Sequence, residues 1–263
     1  MHRIRSRHAT QGGRQDGFTL VELATVLGVI GLLAVAMTSS FDGLQQARAH
    51  NGARADAESA RQALRAFALR NKRLPCPDTS THGDSGREGA GAACGAGVDV
   101  GWLPYESLGL AIPVRASRLR YGVYRGAAAT DLVAPRHGAA DSIDIDGLGG
   151  FSTALTGAAS AVASSARPYY VTGRSVENSC DAGSSPGTGI TLINPAFVLV
   201  APATDRDGMG SLHAGFDGIH QAFAAGASKC VASPDQPQAS GNDDVVVAES
   251  PTALLGWLTA TTR

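Results

Sequence analysis

The chain has 263 residues, a formal net charge of −1 and a charged fraction of 17%. An apolar fraction of 43% excludes a highly charged disordered chain, and the near-neutral balance excludes whole-protein attraction to nucleic acid or anionic lipid. The 33 glycines and an aromatic fraction of only 5% indicate a loop-rich body with a modest core.

The first element in chain order is an apolar tract, residues 18–37, which follows a basic leader. The leader, residues 1–17, carries four arginines against one aspartate. A helix of about 20 residues spans about 30 Å, the hydrocarbon thickness of a bilayer. The tract therefore predicts one membrane-spanning helix. The basic flank should stay in the cytoplasm, with the soluble part of the chain on the other side.

Glu22 is an unexpected residue for such a tract. A carboxylate near the middle of a membrane costs on the order of 2.5–3.5 kcal/mol on insertion scales. An ordinary signal peptide or membrane anchor would gain by losing it. We therefore expect Glu22 to have a partner.

The segment Gly17-Phe18-Thr19-Leu20-Val21-Glu22 resembles the processing site of type IV pilins and type II secretion pseudopilins. This resemblance implies that a prepilin peptidase cuts after Gly17 and that Phe18 becomes the N-methylated first residue. It also implies that Glu22 interacts with the N-terminal amine during subunit assembly. A secretory signal peptide cut after Ala34-Val35-Ala36 and a plain single-pass anchor are the alternatives, but neither explains Glu22.

The helix is expected to continue through residues 41–74 and to end at Pro75. Its good helix formers include a narrow apolar stripe at three- and four-residue steps, formed by Ala53, Ala57, Ala60, Leu64 and Phe67. The charged side chains between them can face water, namely Arg54, Glu58, Arg61 and Arg65. In the pilin family, the apolar half of such a helix packs against other subunits and the amphipathic half lies on the globular domain.

These features divide the chain into four parts. Residues 1–17 are the removed leader, residues 18–40 the apolar transmembrane and filament-core half of the helix, and residues 41–74 its amphipathic half. Residues 75–263 are expected to form a periplasmic globular domain. This domain begins near Leu74-Pro75-Cys76-Pro77, which resembles a segment that follows the helix in a set of minor pilin-like proteins.

The four cysteines lie beyond the apolar tract and form no Cys-x-x-Cys pair, so their spacing does not support a metal site. In an oxidising periplasm, two disulfides are the simplest interpretation. Three pairings are possible, and the shorter loops favour Cys76 with Cys94 and Cys180 with Cys230. Four free buried thiols remain the alternative.

Strands are predicted where apolar residues alternate, at 118–125 and 142–145, and in the short runs 169–172, 196–201 and 244–248. A short helix is predicted at 251–259, while 127–167 and 180–191 are predicted to be long loops. Together these elements predict an α+β fold. In it, a long N-terminal helix with a membrane half and an amphipathic half packs on a small antiparallel β-sheet with long loops.

Few residues in the chain suggest chemistry. Residues 183–187 match Gly-x-Ser-x-Gly, but Pro186 has no N–H for an oxyanion and we interpret the segment as a loop. His213 and His220 alone do not make a zinc site. Two groups of carboxylates before glycines are weak calcium candidates, with solvated turns as the alternative: Asp141, Asp144 and Asp146, and Asp205 and Asp207. No catalytic residue, and no cofactor other than calcium, is expected.

The function expected is that of a minor pilin-like structural subunit in a bacterial type IV pilus or type II secretion pseudopilus, not that of an enzyme. Its expected partners are the prepilin peptidase and N-methyltransferase, other pilin or pseudopilin subunits, and the inner membrane before assembly. It would be a single-pass inner-membrane protein with its globular domain in the periplasm, and later part of the filament. The alternative is a periplasmic enzyme or binding protein, exported by an ordinary signal peptide or held by a single N-terminal anchor.

Overall fold

The computed structural model describes residues 19–89, 94–95, 97–127, 129–134, 150–172, 180, 191–204, 215–237 and 243–261, without the side chains of 36–42. The chain divides into two compact units, residues 1–45 and residues 46–263. The first element is helix α1, which runs over Leu20–Asn71 and contains 52 residues. It ends where Lys72 takes a positive φ of 54°, shortly before Pro75.

The prediction of a membrane half in this helix is wrong. Within the described residues, no helix offers an apolar stretch sufficient to cross a bilayer.

The elements that follow α1 belong to the second unit. In chain order they are β1 (Val100–Trp102), α2 (Tyr105–Leu108), β2 (Arg120–Val123), α3 (Phe151–Ser160), β3 (Tyr169–Thr172), β4 (Thr191–Ile193), β5 (Phe197–Ala201), β6 (Cys230–Val231), β7 (Val245–Glu249) and α4 (Pro251–Thr261). The predictions for β2, β3, β5, β7 and α4 are confirmed. The predicted strand at 142–145 lies outside the described residues.

The prediction of one small antiparallel sheet is also wrong, because the strands form two sheets. The first has the order β1-β2-β5-β7 and is antiparallel throughout. The second has the order β4-β3-β6, and in it β3 pairs parallel to β6. Strands β1, β4 and β6 contain only two or three residues each, which is too short for a periodic pattern to reveal them.

The two faces of the first sheet carry separate parts of the core. The whole apolar stripe predicted for α1 is buried in one cluster, together with Tyr121, Leu199 and Val247. On the other face, Val198 and Val200 belong to a second cluster with Trp102 and other apolar residues. The alternation along each strand therefore directs successive side chains to opposite layers.

Helix α3 corrects the prediction of a continuous loop over residues 127–167. Its buried side chains include Phe151, Ala154, Leu155 and Ala158, which recur at three- and four-residue steps. This spacing forms one apolar helical face, and α3 packs against α4. The signal was present in the sequence, but the high content of Ser, Ala and Gly concealed it.

Both predicted disulfides are confirmed. Cys76 pairs with Cys94 and Cys180 with Cys230, with Cα atoms 5.6 Å and 5.8 Å apart. In the chain-entropy model, loops closed by sequence separations of 18 and 50 residues stabilise the fold by about 3 and about 4 kcal/mol. Two such bonds fit an oxidising compartment outside the cytoplasm.

Candidate functional site: an apolar helix surface with one carboxylate

The first turns of α1 expose their apolar side chains. Ten large apolar residues between positions 20 and 35 are each 48–85% exposed, and we call them the N-terminal apolar surface: Leu20, Val21, Leu23, Val26, Leu27, Val29, Ile30, Leu32, Leu33 and Val35. Elsewhere in the described chain, large exposed apolar residues occur only singly, at Leu44, Val114 and Val162. The exposure is therefore concentrated in one segment.

The N-terminal apolar surface surrounds the helix on all sides, because successive residues turn by about 100°. A helix that is apolar all round is ordinarily buried, and a large contiguous apolar patch marks an interaction site. Scattered exposed apolar residues, by contrast, are normal on any protein. The segment therefore resembles a helix whose apolar side chains are buried against another molecule when the protein functions.

Glu22 lies at the start of this surface, where Thr19 holds it in a capping box. The Thr19 backbone N–H and hydroxyl each donate to Glu22 Oε2 at 3.1 Å. In return, the Glu22 backbone N–H donates to Thr19 Oγ1 at 3.3 Å. Each residue thereby satisfies a backbone N–H that has no partner within the helix.

These hydrogen bonds favour the charged form of the Glu22 carboxylate. The backbone N–H of Thr19, and secondarily its hydroxyl, lower the pKa of Glu22 below its usual range. The positive end of the helix dipole favours a negative charge in the first turn. The surface thus combines a ring of apolar side chains with one ionised carboxylate that is exposed to solvent.

The predicted processing site itself lies outside the described residues, since Gly17 and Phe18 precede Thr19. The five calcium candidates also lie outside them: Asp141, Asp144, Asp146, Asp205 and Asp207. The same holds for His213 and for the loop at 183–187. The structure does describe Glu22, the residue predicted to take part in assembly.

A second polar group, which the sequence analysis missed, joins the segment before β7 to a short 3₁₀ turn at Gly218–Ala222. The Asp217 backbone N–H donates to Asp244 Oδ2 at 2.9 Å, and the Asp243 N–H donates to Asp217 Oδ2 at 3.2 Å. His220 Nδ1 lies 2.8 Å from Asp244 Oδ2, while its Nε2 accepts from the Ala232 N–H at 3.0 Å. His220 therefore carries its proton on Nδ1 and donates it to Asp244.

Asp217, Asp243 and Asp244 are the described residues whose arrangement could hold a cation, because one oxygen from each lies within 4.8 Å of the others. Burial raises the pKa of Asp244 above its usual range, although the hydrogen bond from His220 opposes this shift. All three carboxylates already accept hydrogen bonds from the protein. The cluster therefore serves as a structural link between the turn and β7. The adjacent pair Asp243-Asp244 before a run of valines was its only signal in the sequence.

Comparisons with family models, with curated proteins and with solved structures found no match to this chain. Function is therefore inferred from the chain's own residues and from their geometry.

Proposed function

We propose that the chain is a minor pilin-like structural subunit of a bacterial type IV pilus or type II secretion pseudopilus, assembled through the N-terminal part of α1. The observation that supports this proposal is the N-terminal apolar surface, exposed around the whole helix, with one carboxylate at its first turn. The subunit's work is structural. It is a substrate of the prepilin peptidase rather than an enzyme.

The apolar surface supplies the driving force for assembly. Burying apolar area is favourable by roughly 25 cal/mol per Å², so packing against equivalent helices stabilises this segment in a filament. Gly28 and Gly31 lie in open space on this part of the helix, with no heavy atom within 4 Å of where their Cβ atoms would be. Small residues of this kind let helix backbones approach one another.

Glu22 supplies the register between subunits. Once surrounded by apolar helices, its carboxylate requires a partner, because an unpaired buried charge costs several kcal/mol. The amine of Phe18 in a neighbouring copy, freed by cleavage after Gly17, is the partner that the pilin resemblance implies. The exposed Glu22 carboxylate is ionised at neutral pH, and hydrogen bonds from Thr19 lower its pKa further, so it can attract an ammonium.

The experiment that tests assembly is disulfide cross-linking of the full chain, produced together with a prepilin peptidase. Val29→Cys places a thiol on the N-terminal apolar surface and is expected to give cross-linked copies on oxidation. Adding Glu22→Ala should reduce the yield at least about tenfold, equivalent to about 1.4 kcal/mol of coupling.

The matched control is Glu58→Ala in the same Val29→Cys background. Glu58 is a half-exposed glutamate on the same helix but outside the apolar surface, so its loss should leave cross-linking unchanged. Equal yields with and without Glu22, or no cross-linking of the Val29→Cys chain, would contradict the proposal.

A further inference from the structure

A buried arginine, Arg120, lies in an otherwise apolar row that crosses the first sheet. Trp102 pairs with Arg120, Arg120 pairs with Val200, and Val200 pairs with Val246. Residues that lie directly opposite one another on neighbouring strands share a face of the sheet. Trp102, Val200 and Val246 all belong to the second core cluster, on the face away from α1. Arg120 is therefore a cation at a position where the other three strands contribute apolar side chains.

Two aromatic rings, those of Trp102 and Phe216, hold the guanidinium of Arg120, and we call them the aromatic frame. The Cζ atom of Arg120 lies 3.8 Å from the centroid of the Trp102 ring and 5.6 Å from that of Phe216. A guanidinium within about 6 Å of a ring centroid is attracted to the ring. Arg120 is only 9% exposed, and its Nε atom is buried without a hydrogen-bond partner. The frame fixes the position of the charge but carries no negative charge to neutralise it.

Other arginines with deeply placed side chains each bind a carboxylate. Four of them, with side chains 10–18% exposed, are ion-paired: Arg65 with Glu249, Arg73 with Glu88, Arg118 with Asp84, and Arg125 with Asp131. Among the described residues, no carboxylate pairs with Arg120. Burial lowers the pKa of Arg120 to about 10, the direction expected for a cation whose charge is not compensated. Arg120 thus departs from the way in which this chain treats its buried arginines.

The chemistry of the guanidinium indicates what completes the site. Its planar fork of N–H donors matches the two oxygens of a carboxylate. A carboxylate carries one negative charge, which the single positive charge of Arg120 neutralises, whereas a phosphate dianion would keep an uncompensated charge among apolar side chains. Because only 9% of Arg120 is exposed, the approach to the guanidinium suits a small molecule.

We propose that Arg120, held in the aromatic frame, binds the carboxylate of a small organic acid. The carboxylate accepts hydrogen bonds from the guanidinium, and the apolar row surrounds the rest of the molecule. The site lies in the second unit, residues 46–263, whereas the proposed assembly uses the N-terminal apolar surface. Either proposal can therefore fail without the other.

The first test asks whether the chain itself already neutralises Arg120. Arg120→Met keeps a long side chain that can contact the aromatic frame but removes the charge. Since that charge has no partner, the urea midpoint of the full chain in mild detergent should stay the same or rise. The matched control is Arg125→Met, which leaves the carboxylate of Asp131 without its partner and should lower the midpoint.

A fall in the midpoint of Arg120→Met as large as that of Arg125→Met would overturn the proposal. It would mean that a carboxylate of the chain already pairs with Arg120.

The second test measures binding directly, with propionate as the probe and propionamide as its uncharged counterpart. The chain has two tryptophans, so Trp257→Phe leaves Trp102 as the only one, and its fluorescence reports on the frame. At constant ionic strength, propionate should change this fluorescence saturably and propionamide should not. In the same background, Arg120→Met should weaken propionate binding at least tenfold. Arg120→Lys should also weaken it, because an ammonium keeps the charge but loses the planar fork.

No saturable response to propionate, or an equal response in Arg120→Met, would overturn the proposal. A peptide with one glutamate, capped at both ends, separates a small acid from an acidic side chain of a protein. Binding of this peptide more tightly than propionate would overturn the assignment to a small acid.

Discussion

At the scale of single residues, Glu22 has a local role that the sequence analysis did not assign. The pilin resemblance implies a distant amine as the partner of Glu22, whereas Thr19 already bonds the carboxylate next to the same helix. The pattern Thr19-x-x-Glu22 is a capping-box signature and was readable in the sequence. It was missed because the carboxylate was judged only against its apolar surroundings. The capping box prepares an ionised Glu22, and the proposed assembly uses that charge.

The residue-scale prediction concerns the pKa of Glu22. Hydrogen bonds from Thr19 lower this pKa, so the capping interaction stabilises the helix fully at pH values above the ordinary glutamate pKa of about 4.3. This stabilisation is lost as the pH falls through the lowered pKa of Glu22. Thr19→Val removes the hydroxyl donor, so the pKa of Glu22 should rise. NMR titration of the Glu22 carboxyl carbon in the full chain measures the change.

Thr25→Val is the control for this titration. The Thr25 hydroxyl donates to the Glu22 backbone carbonyl at 2.9 Å rather than to its carboxylate. Its loss should leave the carboxyl pKa in place. An unaltered pKa of Glu22 in Thr19→Val would show that the capping box between Thr19 and Glu22 does not form in solution.

At the scale of elements, α1 and β7 are joined by ion pairs that the helical pattern could not reveal. Glu249 is almost fully buried, with Arg61 Nε at 2.7 Å and Arg65 Nη2 at 2.8 Å. Arg65, which the helical pattern allowed to face water, instead has a side chain that is only 12% exposed. The partners are 184 and 188 residues apart in sequence. Periodicity within one helix cannot identify a distant carboxylate.

The element-scale prediction compares the free energy of unfolding after substitution of each of the two glutamates that bind Arg61. Glu249→Gln leaves two arginines facing a neutral amide in a buried site, so it should lower the free energy of unfolding by about 1.5–3 kcal/mol. Glu58→Gln changes a half-exposed pair and should lower it by less than about 1 kcal/mol. Urea unfolding of the full chain compares them, and a loss for Glu58→Gln as large as that for Glu249→Gln would refute the explanation.

At the scale of the whole molecule, the sequence predicted elements better than it predicted their arrangement. Strands β2, β3, β5 and β7 have apolar alternation or runs between turn residues, and they form where expected. The division into two sheets was not foreseen, because parallel pairing of β3 with the two-residue β6 has no local signature. Cys230 lies on β6, so the disulfide to Cys180 was the only long-range constraint visible in the sequence for this region.

The candidate site was predicted only in part, because a sequence shows local features but not contacts between distant residues. Composition along the chain identified the apolar segment and the position of Glu22, which depend only on local sequence. The membrane-spanning prediction was wrong, because no helix among the described residues is long and apolar enough to cross a membrane.

The most direct test of the pilin-like account is the intact mass of the mature protein, purified from a bacterium that has a prepilin peptidase. The account predicts a chain that begins at Phe18 and carries one methyl group on its N-terminal amine. A chain that begins at Met37, after the small residues Ala34-Val35-Ala36, would contradict it and identify an ordinary exported protein.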